Sequence, residues 1–185
     1  MLAQGSIAEW RPCTRPQLSR RKVQDRVEPW RTLIEAYEME DRLLRELVVG
    51  FPLHWRELPG PDDAPSCRAT LAHLAFWMGF TVDFFRRRLD PGSMPAAPPL
   101  DFEDTERAAL AEWDHLPFGE ILARYLEASA NLREFLAAFW ISLNSRERHE
   151  FRIPLKHNRD HRLALARTLA WHREQQELDT MAHGA

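Results

Sequence analysis

Apolar side chains recur at helical spacing in four long stretches of this chain. In the first, from about Glu28 to Val49, they repeat every three or four residues, while Glu, Asp and Arg occupy the other face. Comparable stretches run from Ser66 to about Leu89, from Pro117 to about Leu143 and from about Asp160 to Met181. Because no stretch alternates with the period of a strand, the sequence predicts four long helices and no sheet.

Turn-forming and capping residues predict where these helices begin and end. Gly50 and Pro52 end the first helix, and the Ser66 hydroxyl is the expected N-cap of the second. Pro117 suits the first turn of the third helix, because a proline there gives up no intrahelical hydrogen bond. Pro154 falls in the connection before the last helix, for which Asp160 is the expected N-cap.

A proline-rich segment from Asp90 to about Pro99 separates the second and third long helices. It predicts an extended connection rather than a tight hairpin, and a short helix over Glu103 to Trp113 follows it. One further helical turn is predicted from Ser145 to about Glu150. The expected fold is therefore all-α: a four-helix bundle with a long crossover between helices two and three.

Composition and charge predict the extent of the domain and the cellular location of the protein. Residues 1–26 lack a sustained apolar period and are expected to form a poorly ordered N-terminal leader, so that residues 27–185 make up the bundle domain. The 25 basic and 28 acidic residues are interspersed, with a net charge of −3, so no basic face indicates nucleic acid as a partner. The longest nearly apolar run, Leu71 to Val82, is too short to span a bilayer, and no apolar segment follows the N-terminal arginines. These features predict a cytoplasmic protein without a membrane span.

Candidate chemistry comes from two histidines on otherwise apolar helix faces. His73 lies in the second helix and His172 in the last. Each alone is more often a satisfied core residue than a ligand, but a buried imidazole needs a partner, and together they suggest a metal or small-molecule site inside the bundle. Cys67, near the start of the second helix, is expected to be a packed apolar residue. No Gly-x-Ser-x-Gly elbow is present, so nucleophilic catalysis has little support.

The residues around these histidines resemble the DinB-like superfamily of four-helix bundles, which includes the DfsB group and the metal-binding domain of mycothiol-dependent maleylpyruvate isomerase. The resemblance covers roughly residues 28 to 182. Its carriers are Trp55, the segment from Ser66 to Trp77, the pair Leu116 and Pro117, and the segment from Leu169 to Gln176. The segment from Ser66 to Trp77 is moderately specific for the superfamily, and each of the other three is weak evidence when taken alone. In that superfamily one histidine of helix two and two residues four apart on the last helix face a divalent metal such as nickel or zinc.

Carried over residue by residue, His73 matches the helix-two ligand and His172 matches one of the last-helix pair. Gln176 takes the second place if His172 is the first of the pair, and Thr168 takes it if His172 is the second. A loop histidine folding over the site is the third alternative, from among His115, His149 and His157. An amide or hydroxyl oxygen is a poorer ligand than imidazole for zinc or nickel. The resemblance therefore implies a weak or degenerate metal site at His73, His172 and Gln176.

The resemblance also implies a metal-dependent enzyme of thiol-transferase or hydrolase type that acts on a small molecule, with a thiol among its candidate partners. The alternative is a non-catalytic bundle that binds a small molecule or a partner and has lost the metal. In either case a pocket is expected between helices two and four, lined by Trp77, Phe80, Thr168 and Trp171. Members of the superfamily are often dimers, so a homodimer is the assembly that the resemblance implies.

Overall fold

A computed structural model of the chain describes residues 28–90, 92 and 102–183. Over these residues the chain forms α-helices and two 3₁₀ helices and no strand, which confirms the predicted all-α class. The predicted leader and nearly all of the proline-rich segment lie outside the described residues. The α-helices are α1 (Glu28–Val49), α2 (Cys67–Leu89), α3 (Phe102–Trp113), α4 (Phe118–Phe139), α5 (Ser145–Glu150) and α6 (Arg152–His183), and the 3₁₀ helices are Leu53–Trp55 and Pro61–Asp63.

Each of the four long helices, α1, α2, α4 and α6, packs mainly against two of the others. Both α1 and α2 pack against α4 and α6, and the contact between α2 and α4 is the most extensive. The short α3 lies on α2, and α5 lies against α6. Burial of the apolar stripes from all four helices removes them from water and drives this packing. Almost completely buried core residues come from each long helix: Tyr37 and Leu44, Leu74 and Met78, Leu132 and Leu136, and Leu165.

Most helix ends lie where the capping residues predict them. The Ser66 hydroxyl accepts a hydrogen bond from the Ala69 N–H at 3.1 Å and so caps α2 as expected. The short helices α3 and α5 both form where they are predicted, but α4 ends at Phe139 rather than near Leu143. None of the described helices combines the length and the apolar character needed to cross a bilayer.

The last helix departs most from the prediction. It begins at Arg152, so the predicted start near Asp160 is wrong. Pro154 lies within its first turn, where a residue without an N–H leaves no intrahelical hydrogen bond unmade. Asp160 is an exposed residue inside the helix, and its carboxylate accepts a hydrogen bond from Lys156 at 2.5 Å. As a consequence His157, which the sequence assigns to a connection, belongs to α6.

Tertiary contacts fix the point where α6 begins. Phe151 is the single residue between α5 and α6, and it is completely buried. Its carbonyl accepts a hydrogen bond from the Tyr37 hydroxyl of α1 at 2.6 Å. Its ring packs on Phe85 of α2 and on Phe135 of α4, with centroid distances of 4.4 Å and 5.8 Å. These contacts with three other helices anchor the first turn of α6 in the core.

A buried carboxylate joins α1 to α4. Asp41 is 3 % exposed, and it accepts hydrogen bonds from Tyr125 at 2.6 Å, from the Ser129 hydroxyl and from the Arg133 guanidinium. Burial raises the pKa of Tyr125, so its hydroxyl stays protonated and remains a donor at neutral pH. The polar groups at this contact therefore satisfy one another without water.

Candidate metal centre

Three imidazoles converge between α2 and α6. His73 comes from α2, and His157 and His161 come from α6. The ring centroid of His73 lies 4.9 Å from that of His157 and 4.7 Å from that of His161, and the latter two are 4.4 Å apart. One ligand nitrogen from each ring lies within 4.8 Å of the other two. We call these three residues the imidazole cluster; their spacing allows all three to bind one ion.

Local helix geometry explains why two of these rings share a face. His157 and His161 are separated by four residues, and side chains at that spacing lie above one another on the same side of a helix. The contact between α2 and α6 turns this side toward the middle of α2, where His73 is placed. A helix beginning at Asp160 would have left His157 outside this arrangement.

A carboxylate from α3 orients one of the rings. The Nδ1–H of His73 donates a hydrogen bond to Glu106. With Nδ1 engaged by Glu106, Nε2 is the His73 nitrogen that faces the cluster, and it lies 2.7 Å from the Nε2 of His157. Metal-binding histidines are commonly held in this way, with the distal nitrogen hydrogen-bonded to a carboxylate. Glu106 thus keeps the Nε2 lone pair of His73 directed into the cluster.

The two α6 histidines are held in their neutral form. Burial, together with the neighbouring His157 and His73, lowers the pKa of His161 to about 4. Burial and the nearby His73 also lower the pKa of His157. At neutral pH both rings therefore keep an unprotonated nitrogen, which is the form that binds a metal.

Of the ligands predicted besides His73, the loop-histidine alternative His157 lies in the cluster, whereas His172 and Gln176 do not. His172 lies on α6 eleven residues beyond His161, which is roughly 16 Å along the helix axis. It stacks on Trp55, with ring centroids 5.3 Å apart. Gln176 is exposed one turn further along the same helix. Of the predicted set His73, His172 and Gln176, only His73 belongs to the imidazole cluster.

The predicted pocket residues fall into two separate places. Trp77 and Phe80 line a cavity of about 440 Å³ whose wall also includes His157. Thr168 is instead buried against Gly60, where an added Cβ would lie 2.5 Å from the Thr168 hydroxyl oxygen. Trp171 lies beside His172, with ring centroids 4.9 Å apart. The structure therefore places Trp77 and Phe80 next to the cluster, and Thr168 and Trp171 further along α6, near its middle.

Burial determines whether the Cys67 thiol can ionise. Its side chain is completely buried, as expected for a packed apolar residue. Burial raises the pKa of the Cys67 thiol to about 12, so the nucleophilic thiolate is not formed at neutral pH. Cys67 is therefore part of the apolar core.

Burial of His172 predicts a contribution to the acid sensitivity of the fold. The ring is 7 % exposed, and its Nε2 finds no hydrogen-bond partner among the residues described. Burial lowers the pKa of His172 below its ordinary 6.5, although the backbone of Pro59 and Leu58 partly offsets this effect. Because the folded protein protonates this ring less readily than the unfolded chain does, His172 does not reduce the free energy of unfolding above pH 6.5. Below that pH it reduces this free energy progressively as the pH falls.

We expect the His172→Phe variant, which keeps an aromatic ring on Trp55, to lose less stability than the wild type between about pH 7 and about pH 5. Urea unfolding at a series of pH values measures this difference. The control is His183→Asn at an exposed position of α6, which should follow the wild type. An identical pH dependence in His172→Phe and wild type would contradict the prediction.

Of His157, His161 and Glu106, the sequence predicts only the first as a candidate ligand, and only as one of three loop histidines that could fold over the site. A signal was present for the first two, because histidines four apart match the last-helix spacing of the resembling superfamily. No comparable signal marks Glu106, which reaches His73 only through the packing of α3 on α2. No protein-family model matches the chain, and neither do the curated proteins or the solved structures. The case for function therefore depends on the geometry of the cluster and its surroundings.

Proposed function

We propose that this protein is a DinB-like four-helix bundle that binds a divalent metal, zinc or nickel, and acts as a metal-dependent enzyme on a small molecule. The ligands are His73, His157 and His161. The observation that carries the proposal is the convergence of three ring nitrogens within 4.8 Å of one another. A reaction of hydrolase or thiol-transferase type is the chemistry that the resemblance implies for such a site.

The contacts between helices support the bundle. Because α1 and α2 each pack against both α4 and α6, the four long helices can be arranged around one core with α1 and α2 on a diagonal. In this arrangement α3 belongs to the crossover between α2 and α4. The predicted cytoplasmic location and homodimer stay predictions.

The donor set fits the proposed metals. Imidazole nitrogen is a good ligand for zinc and nickel, and the lowered pKa values of His157 and His161 keep two of the three rings unprotonated. The set also reproduces the superfamily pattern of one helix-two histidine and two last-helix residues four apart. His157 and His161 fill the last-helix places with two imidazoles, which removes the need for Gln176 or Thr168 as a ligand.

The protein's own residues would position a substrate beside this centre. A divalent metal held by His73, His157 and His161 would act as a Lewis acid toward a carbonyl or thiol group of the substrate. Glu106 accepts the hydrogen bond from His73, and the Trp77 ring lies edge-on to the His73 ring with centroids 6.3 Å apart. The adjoining apolar cavity offers space for a small molecule.

One observation favours a second candidate, a non-catalytic bundle that binds a small molecule without a metal. Hydrogen bonds already connect Glu106 to His73 and His73 to His157, so these half-buried polar groups have partners without a metal. In this alternative the cluster is a polar contact between α2, α3 and α6 and has no ligand role.

Metal content separates the two candidates. We expect untagged protein loaded with zinc or nickel and then dialysed to retain about one equivalent of metal, measured by elemental analysis. His161→Ala should lose it, because removing one of three ligands leaves a two-imidazole site. His172→Phe and the exposed-site control His183→Ala should retain it. Absence of metal from the loaded wild type, or its loss in His172→Phe but not in His161→Ala, would overturn the proposal.

A further inference from the structure

An apolar cavity of about 440 Å³ adjoins the imidazole cluster between α2 and the start of α6. It shares His157 with the cluster, so one end of the cavity is formed by a proposed metal ligand. Trp77 is part of the same wall and lies next to His73, with ring centroids 6.3 Å apart. The remaining described wall residues are Phe80, Thr81, Phe84, Phe85, Glu150, Ile153 and Pro154.

The charge of the wall restricts what can bind. Of the wall residues that the structure describes, none is Lys or Arg, and Glu150 is the one carboxylate among them. The Thr81 hydroxyl donates to the carbonyl of Trp77 at 2.8 Å and is therefore engaged within its own helix. Arg146 pairs with the Glu150 carboxylate at 3.1 Å. An anionic group placed against the wall away from the metal would therefore lose its hydration and find no cation among the described wall residues. An uncharged apolar group would gain free energy from the surface that it buries.

We infer that this cavity is the substrate pocket of the metal centre and that it takes an uncharged aromatic or branched aliphatic group. The oxygen or sulfur atom that reacts would lie at the end formed by His157, within reach of the cluster. The volume lies within the range of small-molecule sites, roughly 300–1,000 Å³. This inference rests on the proposed function, because the metal gives the His157 end its role.

Two hydroxamic acids test the substrate class. Acetohydroxamic and benzohydroxamic acid carry the same metal-chelating group and differ in a methyl against a phenyl substituent. We expect zinc-loaded wild type to bind the phenyl compound at least about tenfold more tightly, because the ring would be buried in the cavity. A carboxylate added opposite the chelating group of benzohydroxamic acid should weaken binding. Equal affinity for the two acids, or tighter binding of the carboxylate, would overturn the inferred substrate class.

Two pairs of variants localise the effect. Phe84 and Ile153 line the cavity and are 41 % and 63 % exposed, so their truncation should leave the fold intact. Phe84→Ala and Ile153→Ala should each lower the preference for the phenyl compound about threefold. The matched controls are Phe139→Ala and Ile141→Ala, at residues outside the wall that are 40 % and 66 % exposed. A preference unchanged by the wall variants, or lowered equally by the controls, would place the phenyl group elsewhere and overturn the inference.

Failure of the metal site can be told apart from failure of the pocket. Elemental analysis of the same samples reports metal uptake, and its absence overturns the proposed function independently of hydroxamate selectivity. The pocket itself is tested in metal-free protein with benzyl alcohol, which has no chelating group, through the fluorescence of Trp77 and the other tryptophans. Saturable binding that Phe84→Ala weakens and Phe139→Ala does not would support the pocket. Absence of saturable binding would overturn it.

Discussion

Replacement of Asp41 with alanine is expected to lower the free energy of unfolding by about 3–5 kcal/mol. The carboxylate accepts hydrogen bonds from Tyr125, Ser129 and Arg133, and the first two of these donors are buried. Its removal leaves buried hydroxyl groups and a partly buried guanidinium without their acceptor, and each such loss costs desolvation free energy that water cannot repay in the core. Urea unfolding at neutral pH, followed by circular dichroism, measures the change.

Two controls show whether the loss comes from the buried network. Asp83→Ala removes an aspartate that is 52 % exposed and lies 3.9 Å from Arg86, and it should change stability by less than about 0.5 kcal/mol. Asp41→Asn keeps one oxygen as an acceptor and should destabilise the protein less than Asp41→Ala. If Asp41→Ala and Asp83→Ala had similar small effects, the network would not hold α1 against α4 as described.

Replacement of Glu106 with glutamine is expected to weaken metal binding about 10–100-fold. The carboxylate accepts the Nδ1–H of His73 and thereby directs the Nε2 lone pair toward His157 and His161. A neutral amide oxygen is a weaker acceptor than a carboxylate, so it orients the ring less firmly and makes it a poorer donor to the metal. Competition with a chromophoric chelator at neutral pH measures the affinity.

Glu112→Gln provides the matched control for this prediction. Glu112 lies on the same helix as Glu106 but is exposed, so its replacement should leave metal affinity unchanged. The unfolding midpoint of metal-free Glu106→Gln separates a role in orientation from a general loss of structure. Equal metal affinities of Glu106→Gln and Glu112→Gln would show that the hydrogen bond to His73 has no influence on the metal.

The helices themselves follow largely from local sequence. The apolar period of α1 and its stop at Gly50 lead to bounds of Glu28 and Val49, which the structure reproduces. The Ser66 hydroxyl caps α2 as predicted. These features depend on residues within one or two turns of each other, and such interactions act before any tertiary contact exists. For that reason the helical class could be predicted without knowledge of how the helices pack.

The start of α6 shows where local signals were insufficient. The sequence around Pro154 and Asp160 is compatible with a connection followed by an N-cap. It is equally compatible with the first turns of a longer helix. The buried Phe151, held by Tyr37 of α1, selects the second arrangement. The same local ambiguity assigns His157 to a connection, so that the sequence predicts it only as one alternative loop ligand, although its spacing from His161 is visible in the sequence.

By itself, the sequence determined the helical segments, the Ser66 cap of α2 and the presence of His73 on an apolar face. These properties arise from side-chain periodicity and from short-range hydrogen bonds. Only the tertiary structure decided which polar residues meet His73, because that depends on the register of α6 against α2 and on the position of α3. It brought together His157, His161 and Glu106, and it placed His172 on Trp55 at a distance from them. The contacts that set this register join residues far apart in the chain, so no local pattern could specify them.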